Sequence, residues 1–197
     1  MGSTKDPGVV MCNVTSDLLR DDWPELWTIG HSTRSRDEFQ QLLRANQIGD
    51  LVDVRSYPGS RRYPHFNQAE LAADLLAIGI DYHHLKSLGG RRKPNRNSKN
   101  TAWQNESFRA YADHLDSVEF KKGISDLLTL ARQRRTAIMC AEALWWKCHR
   151  GLIADYLKAS GAEVIHIIDA THAEPHPYTS VARISNGELS YQGLLPG

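Results

Sequence analysis

The chain has 197 residues, 41 % hydrophobic and 24 % charged, with a formal net charge of +1, which fits a globular protein with one full-sized core and excludes a global pull toward nucleic acid or anionic membrane. Three cysteines are too few for a disulfide scaffold and suit a reducing compartment. No stretch approaches the ~18 apolar residues of a membrane span, and the acidic, broken N-terminus is not a secretory signal, so a cytoplasmic protein without a membrane partner is expected.

Residues 1–24 read as a flexible tail and 25–197 as one domain. "LWTIGH" (26–31) is a short apolar run ending near a glycine and predicts a strand. "SRDEFQQLLRAN" (35–46) follows with Phe39, Leu42 and Leu43 at helical spacing and a serine placed to cap it. "IGDLVDVRS" (48–56) reads as a buried strand. "NQAELAADLLAIG" (67–79) predicts a helix, with Asn67 and Glu70 resembling a capping box and Gly79 as its stop. "IDYHHL" (80–85) is a further strand. "NESFRAYADHL" and "EFKKGISDLLTLARQ" are helical, and "TAIMC" (136–140) and "AEVIHIID" (162–169) are strands around the helix "HRGLIADYLKAS". The "SNGE" turn near the end predicts a small hairpin.

This alternation predicts an α/β fold: a mostly parallel sheet of about five strands with helices on both faces, a Rossmann-like three-layer arrangement. Such sheets bind ligands beyond the carboxyl ends of their strands. There the sequence places Gly30, His31, Ser32 and Thr33, then Asp53, Arg55 and Ser56, then His84, Lys86, Gly89 and Gly90. Cys140 and Glu142 follow the fourth strand, with Cys148, His149 and Arg150 close behind, and Asp169, Thr171 and His172 follow the fifth. Polar side chains thus stand at every carboxyl end.

The densest stretch is "IMCAEALWWKCHRGLIADYL" (138–157). If its helix begins near Trp146, Cys148 and His149 lie in the first turn, where free amides favour a thiolate or a bound anion. If it begins near Glu142, Cys148 sits deeper. Together with "WTIGHS", "VDVRSYPGSR" and "LGG", this stretch resembles the DUF488 family over about Trp27 to Ile168. The resemblance implies a compact α/β domain with the signature residues gathered at one end of the sheet, and it implies no reaction. Many members carry Asp-Pro before the second cysteine motif, where this chain has Leu144 and Trp145.

The residues support three readings. The first is an anion pocket for a phosphorylated small molecule, nucleotide or carboxylate. Its candidate ligand contacts are Ser32, Asp53, Arg55, Gly89, Gly90, Cys148, His149 and Arg150, and its candidates for covalent or acid–base chemistry are Cys140, Glu142 and His31. The second is a nucleic-acid module using the basic loop 91–99, through Arg91, Arg92, Lys93 and Arg96, joined by Arg61 and Arg62, with Trp103 and Tyr63 near enough to stack. The third is a thiol or metal site at Cys140 and Cys148, although the spacing fits no standard zinc or redox motif. Packing roles stand beside all of these: a free cysteine fills a core well, and Asp53 with Arg55 could be an ion pair between strand ends. Walker, dinucleotide and His-Glu-x-x-His motifs are missing from the sequence, so no cofactor is named, and the oligomeric state stays open.

Overall fold

The structure, a computed structural model, describes residues 23–193. The expected tail therefore lies almost wholly outside the described residues. Strands β1 (Leu26–Gly30), β2 (Asp50–Asp53), β3 (Asp81–His84), β4 (Thr136–Cys140) and β5 (Val164–Ile167) run parallel in the order β3-β2-β4-β1-β5. A sixth strand, β6 (Ala173–Pro175), adds an antiparallel edge beside β5. Three residues ending in proline gave no periodic signal, and a sheet edge is where proline is tolerated. The expected hairpin forms from β7 (Arg183–Ser185) and β8 (Glu188–Ser190). Its turn residues Asn186 and Gly187 have φ of 52° and 80°, the conformation that a tight hairpin turn requires.

Helices α1 (Arg36–Ala45) and α2 (Gln68–Leu76) cover one face of the sheet. Phe39, Leu42, Leu43, Leu71 and Leu75 pack there against Ile29, Leu51, Ala137 and Met139. Helices α3 (Glu106–His114), α4 (Val118–Ala131) and α5 (Arg150–Ser160) cover the other, where Phe120, Leu127, Leu152 and Ile153 meet Val52, Ile138 and Val164. Ser35 caps α1 as its sequence predicts, accepting the Glu38 amide at 3.2 Å. Asn67 occupies the N-cap of α2, but its Oδ1 accepts the Ser60 amide at 2.7 Å instead. The expected capping box is therefore not formed; the side chain ties the 57–63 loop to α2.

The strand order positions the site. β1 and β4 are neighbours, yet the chain leaves β1 toward α1 on one face and β4 toward α5 on the other. Adjacent strands whose connections diverge in this way open a crevice at their carboxyl ends. Gly30 and Cys140 stand opposite each other at its floor.

Candidate functional site

A cleft of about 730 Å³ opens at this point. It is lined by residues that follow β1, β2 and β4, by Gly90 and Arg91 of the long loop, and by the N-terminal end of α3. Past the strand ends the backbone pairing continues: the His31 amide donates to the Cys140 carbonyl at 2.9 Å and that of Ser32 to the Ala141 carbonyl at 2.8 Å. This holds Ser32 at φ 50°, a left-handed value uncommon for a residue with a side chain. It also draws the Glu142 carbonyl over β1, where a Cβ on Gly30 would come within 1.8 Å of that oxygen. Glycine is obligatory there.

The two cysteines meet. Their sulfurs are 2.7 Å apart although the residues sit on different elements. Cys140 ends β4, and Cys148 lies in extended backbone between a 3-10 turn (Trp145–Lys147) and α5. Both expected helix starts are thus corrected. Trp145–Lys147 cannot continue into α5 because Cys148 has φ −135° and ψ 148°, and α5 begins at Arg150 with His149 as its N-cap. Cys148 nevertheless serves that helix end: its sulfur accepts the Arg150 amide at 3.4 Å. This sets the thiol at the positive pole of a helix.

His149 flanks the pair. Its Nε2 is 3.0 Å from the Val54 carbonyl, which only a ring N–H can satisfy, so Nδ1 faces Cys148 Sγ at 3.4 Å as an acceptor. Burial drives this imidazole down to about 4, and it is neutral at ordinary pH. Gly90 makes room for it, since a Cβ there would lie 2.5 Å from Nδ1. Tyr111 meets the same ring edge-on at 5.0 Å.

Arg150 is turned inward and is 2 % exposed. Its Nη2 donates to the Ala143 and Glu142 carbonyls at 3.0 and 3.3 Å. Nε and Nη1 have no partner, and no carboxylate pairs with this guanidinium among the described residues. Burying a lone cation is costly unless an anion offsets it, and the cysteine pair is the acid beside it. Burial alone raises the Cys140 thiol; the hydrogen bond from Cys148 and the Arg150 charge outweigh that and bring it to about 7. Cys148, buried and facing its neighbour's negative charge, is pushed well up. One proton shared between two sulfurs accounts for both directions.

The second centre is Arg55. Asp53 grips it through Nε at 2.9 Å and Nη2 at 2.6 Å, and Phe66 accepts Nη2 at 2.8 Å. Nη1 points toward His31 Nε2 at 3.4 Å. His31 stacks on Phe66 at 4.1 Å, and its Nδ1 is spent on the Ser32 carbonyl. Burial, then the Arg55 charge, lowers it to about 4.

Of the sequence-predicted residues, the structure brings His31, Ser32, Arg55, Gly90, Cys140, Glu142, Cys148 and His149 to the cleft. Three take other places. Asp53 is fully buried behind Arg55, Gly89 packs against Ser56, and Arg150 lies beneath the cysteines rather than in the wall. His84 and Lys86 at the end of β3, and the end of β5, do not reach the cleft; Asp169 is engaged by the amides of Thr171 and His172 in its own exposed turn. The basic loop divides. Arg91 joins the wall, and Arg92 is tied back to Glu119, Ser87 and Gly89. Lys93 and Arg96 are exposed away from the cleft. Sequence reasoning passed over Lys147, Tyr57 and Phe108 as cleft residues. Lys147 adjoins Cys148 and was the one within reach.

Among the described residues, no three His, Cys, Asp or Glu side chains are arranged to hold a metal. No helix of the described residues is long and apolar enough to cross a membrane. The family described as "Domain of unknown function DUF488" matches residues 35–157. The chain belongs to the DUF488 family. That match spans α1 to α5 and holds both cysteines, His149, Arg150 and Arg55; β1 with His31, and all of β5 to β8, lie outside it. No curated protein and no solved structure matches the chain.

Proposed function

We propose that this DUF488 protein is an enzyme that takes an anionic small molecule into the cleft and acts on it through the Cys140–Cys148 pair. The observation that carries this reading is the charge of the wall. Arg55, Arg62, Arg91 and Lys147 line the same cleft as the two cysteines, and Glu142 is the only carboxylate among the lining residues. Clustered cations around a concave, partly dry surface focus the field and raise the local concentration of anions. Phosphate and carboxylate groups are the ligands whose geometry suits arginine.

Arg62 and Arg91 lie near the tyrosine rings of Tyr63 and Tyr57, at 5.4 and 5.6 Å, which limits their wandering at the mouth. Arg55, locked by Asp53, offers Nη1 deeper in. Cys140 is the nucleophile, and His149 Nδ1 is the proton acceptor beside its partner Cys148. His31, whose ring nitrogens are engaged by Ser32 and Arg55, positions Arg55 rather than moving protons.

The test is iodoacetamide labelling of Cys140 and Cys148, followed by peptide mass spectrometry, with inorganic phosphate or a nucleoside monophosphate against sodium chloride of equal ionic strength. The anions should protect both cysteines, and Arg62→Ala or Arg91→Ala should weaken that protection roughly threefold to tenfold. Labelling indifferent to both anions, or protection that survives both substitutions intact, overturns the reading.

A further inference from the structure

Seven residues, 141–147, separate Cys140 from Cys148, and the fold returns the second sulfur to within 2.7 Å of the first. A disulfide bond needs ~2.0 Å, so closing one requires the sulfurs to approach by less than an ångström. Both side chains are almost fully buried, at 1 % and 5 % exposure, but both contribute to the floor of the cleft. The elements behind them are rigid: β4 is fully buried, and α5 is anchored along its length in the core. The unpartnered Nε and Nη1 of Arg150 supply the positive charge that an attacking thiolate requires. His149 Nδ1 stands by Cys148 and not by Cys140. The Arg150 charge acts on both thiols, but they are not equivalent: Cys148 faces the His149 base and Cys140 does not.

We propose that Cys140 and Cys148 form a dithiol–disulfide couple that reduces a small anionic disulfide held in the cleft. The substrate class rests on the reading of the cleft as an anion pocket; the couple itself does not. The Cys140 thiolate attacks one sulfur of the substrate. The substrate S–S bond breaks, one half leaves as a thiolate that takes a proton from solvent, and the other half stays on Cys140 as a mixed disulfide. Cys148 then gives its proton to His149 Nδ1 and attacks Cys140 Sγ. The mixed disulfide breaks, and the second half leaves with the proton from His149. Two electrons pass from the two thiols to the substrate, the pair ends as the Cys140–Cys148 disulfide, and a small thiol reductant returns it to the starting state by the reverse exchange. A neutral oxidant such as hydrogen peroxide would have no use for the four cations of the wall. A disulfide bearing carboxylates would use them.

The experiment treats the reduced full-length protein with oxidised glutathione, which carries carboxylates, or with cystamine, a cationic disulfide. The bridge is mapped by peptide mass spectrometry, so the third cysteine, Cys12, is scored separately. The expected result is a Cys140–Cys148 bridge formed at least tenfold faster with oxidised glutathione, and a glutathione adduct trapped on Cys140 in Cys148→Ser. The wild-type rates decide the matter even if that variant folds poorly. No bridge with either reagent overturns the couple and leaves the anion pocket to the phosphate protection measured above. A bridge formed equally fast with cystamine overturns the substrate class and counts against the anion pocket as well. An adduct that accumulates in Cys140→Ser and not in Cys148→Ser reverses the assigned roles and overturns the mechanism.

Discussion

Helix α5 carries two buried polar clusters. At its start, Arg150 lies under the cysteine pair with two donor groups unmatched. Further along, Asp155 closes a row of side chains that satisfy one another. Thr28 Oγ1 is 2.6 Å from His166 Nδ1, His166 Nε2 is 2.8 Å from His176 Nδ1, and His176 Nε2 is 2.9 Å from Asp155 Oδ1. Asp155 also accepts the Thr179 amide at 2.8 Å, its hydroxyl at 2.5 Å and the Tyr191 hydroxyl at 2.7 Å. Trp145 stacks on His166 at 4.5 Å and seals the row. One set of proton positions, each donor pointing toward Asp155, fills every bond. The difference teaches how to read buried polarity. A network closed on itself fixes position, here that of the segment 173–191 on α5. A network left open has a charge still to be matched.

Acid gives the largest expected effect because it attacks both clusters. Burial lowers His166 to about 2, and His31 and His149 to about 4. The unfolded chain binds protons at these residues near the ordinary value of ~6.5 while the folded protein does not, so stability is full above that pH and falls as the pH drops from 6.5 toward 4. Each group costs up to about 3 kcal/mol over that window. Denaturant midpoints at pH 7.5, 5.5 and 4.5 should fall steeply in that order. A flat profile would mean that these rings are not buried neutral.

Asp155→Asn should separate the clusters next. It leaves the donors of Thr179, Tyr191 and His176 competing for one amide oxygen, at about 3 kcal/mol of stability in urea unfolding. The alkylation profile of Cys140 should stay where it is. If that profile moves with the stability, the two clusters are one unit and the contrast between them fails.

Arg150→Met is the reverse experiment and the smallest in stability, within about 1 kcal/mol either way, because removing an unpaired buried cation offsets the lost bonds to Glu142 and Ala143. Its effect belongs to reactivity. The half-titration of Cys140 alkylation should rise from about 7 by roughly one unit or more as the compensating charge disappears. An unchanged midpoint with a large loss of stability would make Arg150 a structural residue and remove the reason for calling its cluster open.

The sequence by itself determined the elements and the ends at which polar residues stand. Hydrophobic spacing located all five parallel strands and all five helices, because periodicity and capping are local properties that a short window carries. It also singled out the residues 138–157, with Cys140 at the end of a strand, and left open where the helix after Cys148 begins. Tertiary structure decided which strand ends meet. The order β3-β2-β4-β1-β5 brings those of β1, β2 and β4 together and leaves out those of β3 and β5, and no local pattern encodes strand order. The same holds for direction within the site. Asp53 ends β2 and Arg55 follows it, but only packing against Phe66 and Tyr82 turns one into support for the other. Lys147 and Phe108 reach the cleft from separate elements, and Tyr191 returns from far along the chain to Asp155. Sulfur meets sulfur, and Arg150 remains unpaired beneath them, because buried strands and a rigid helix fix positions that only long-range packing can set.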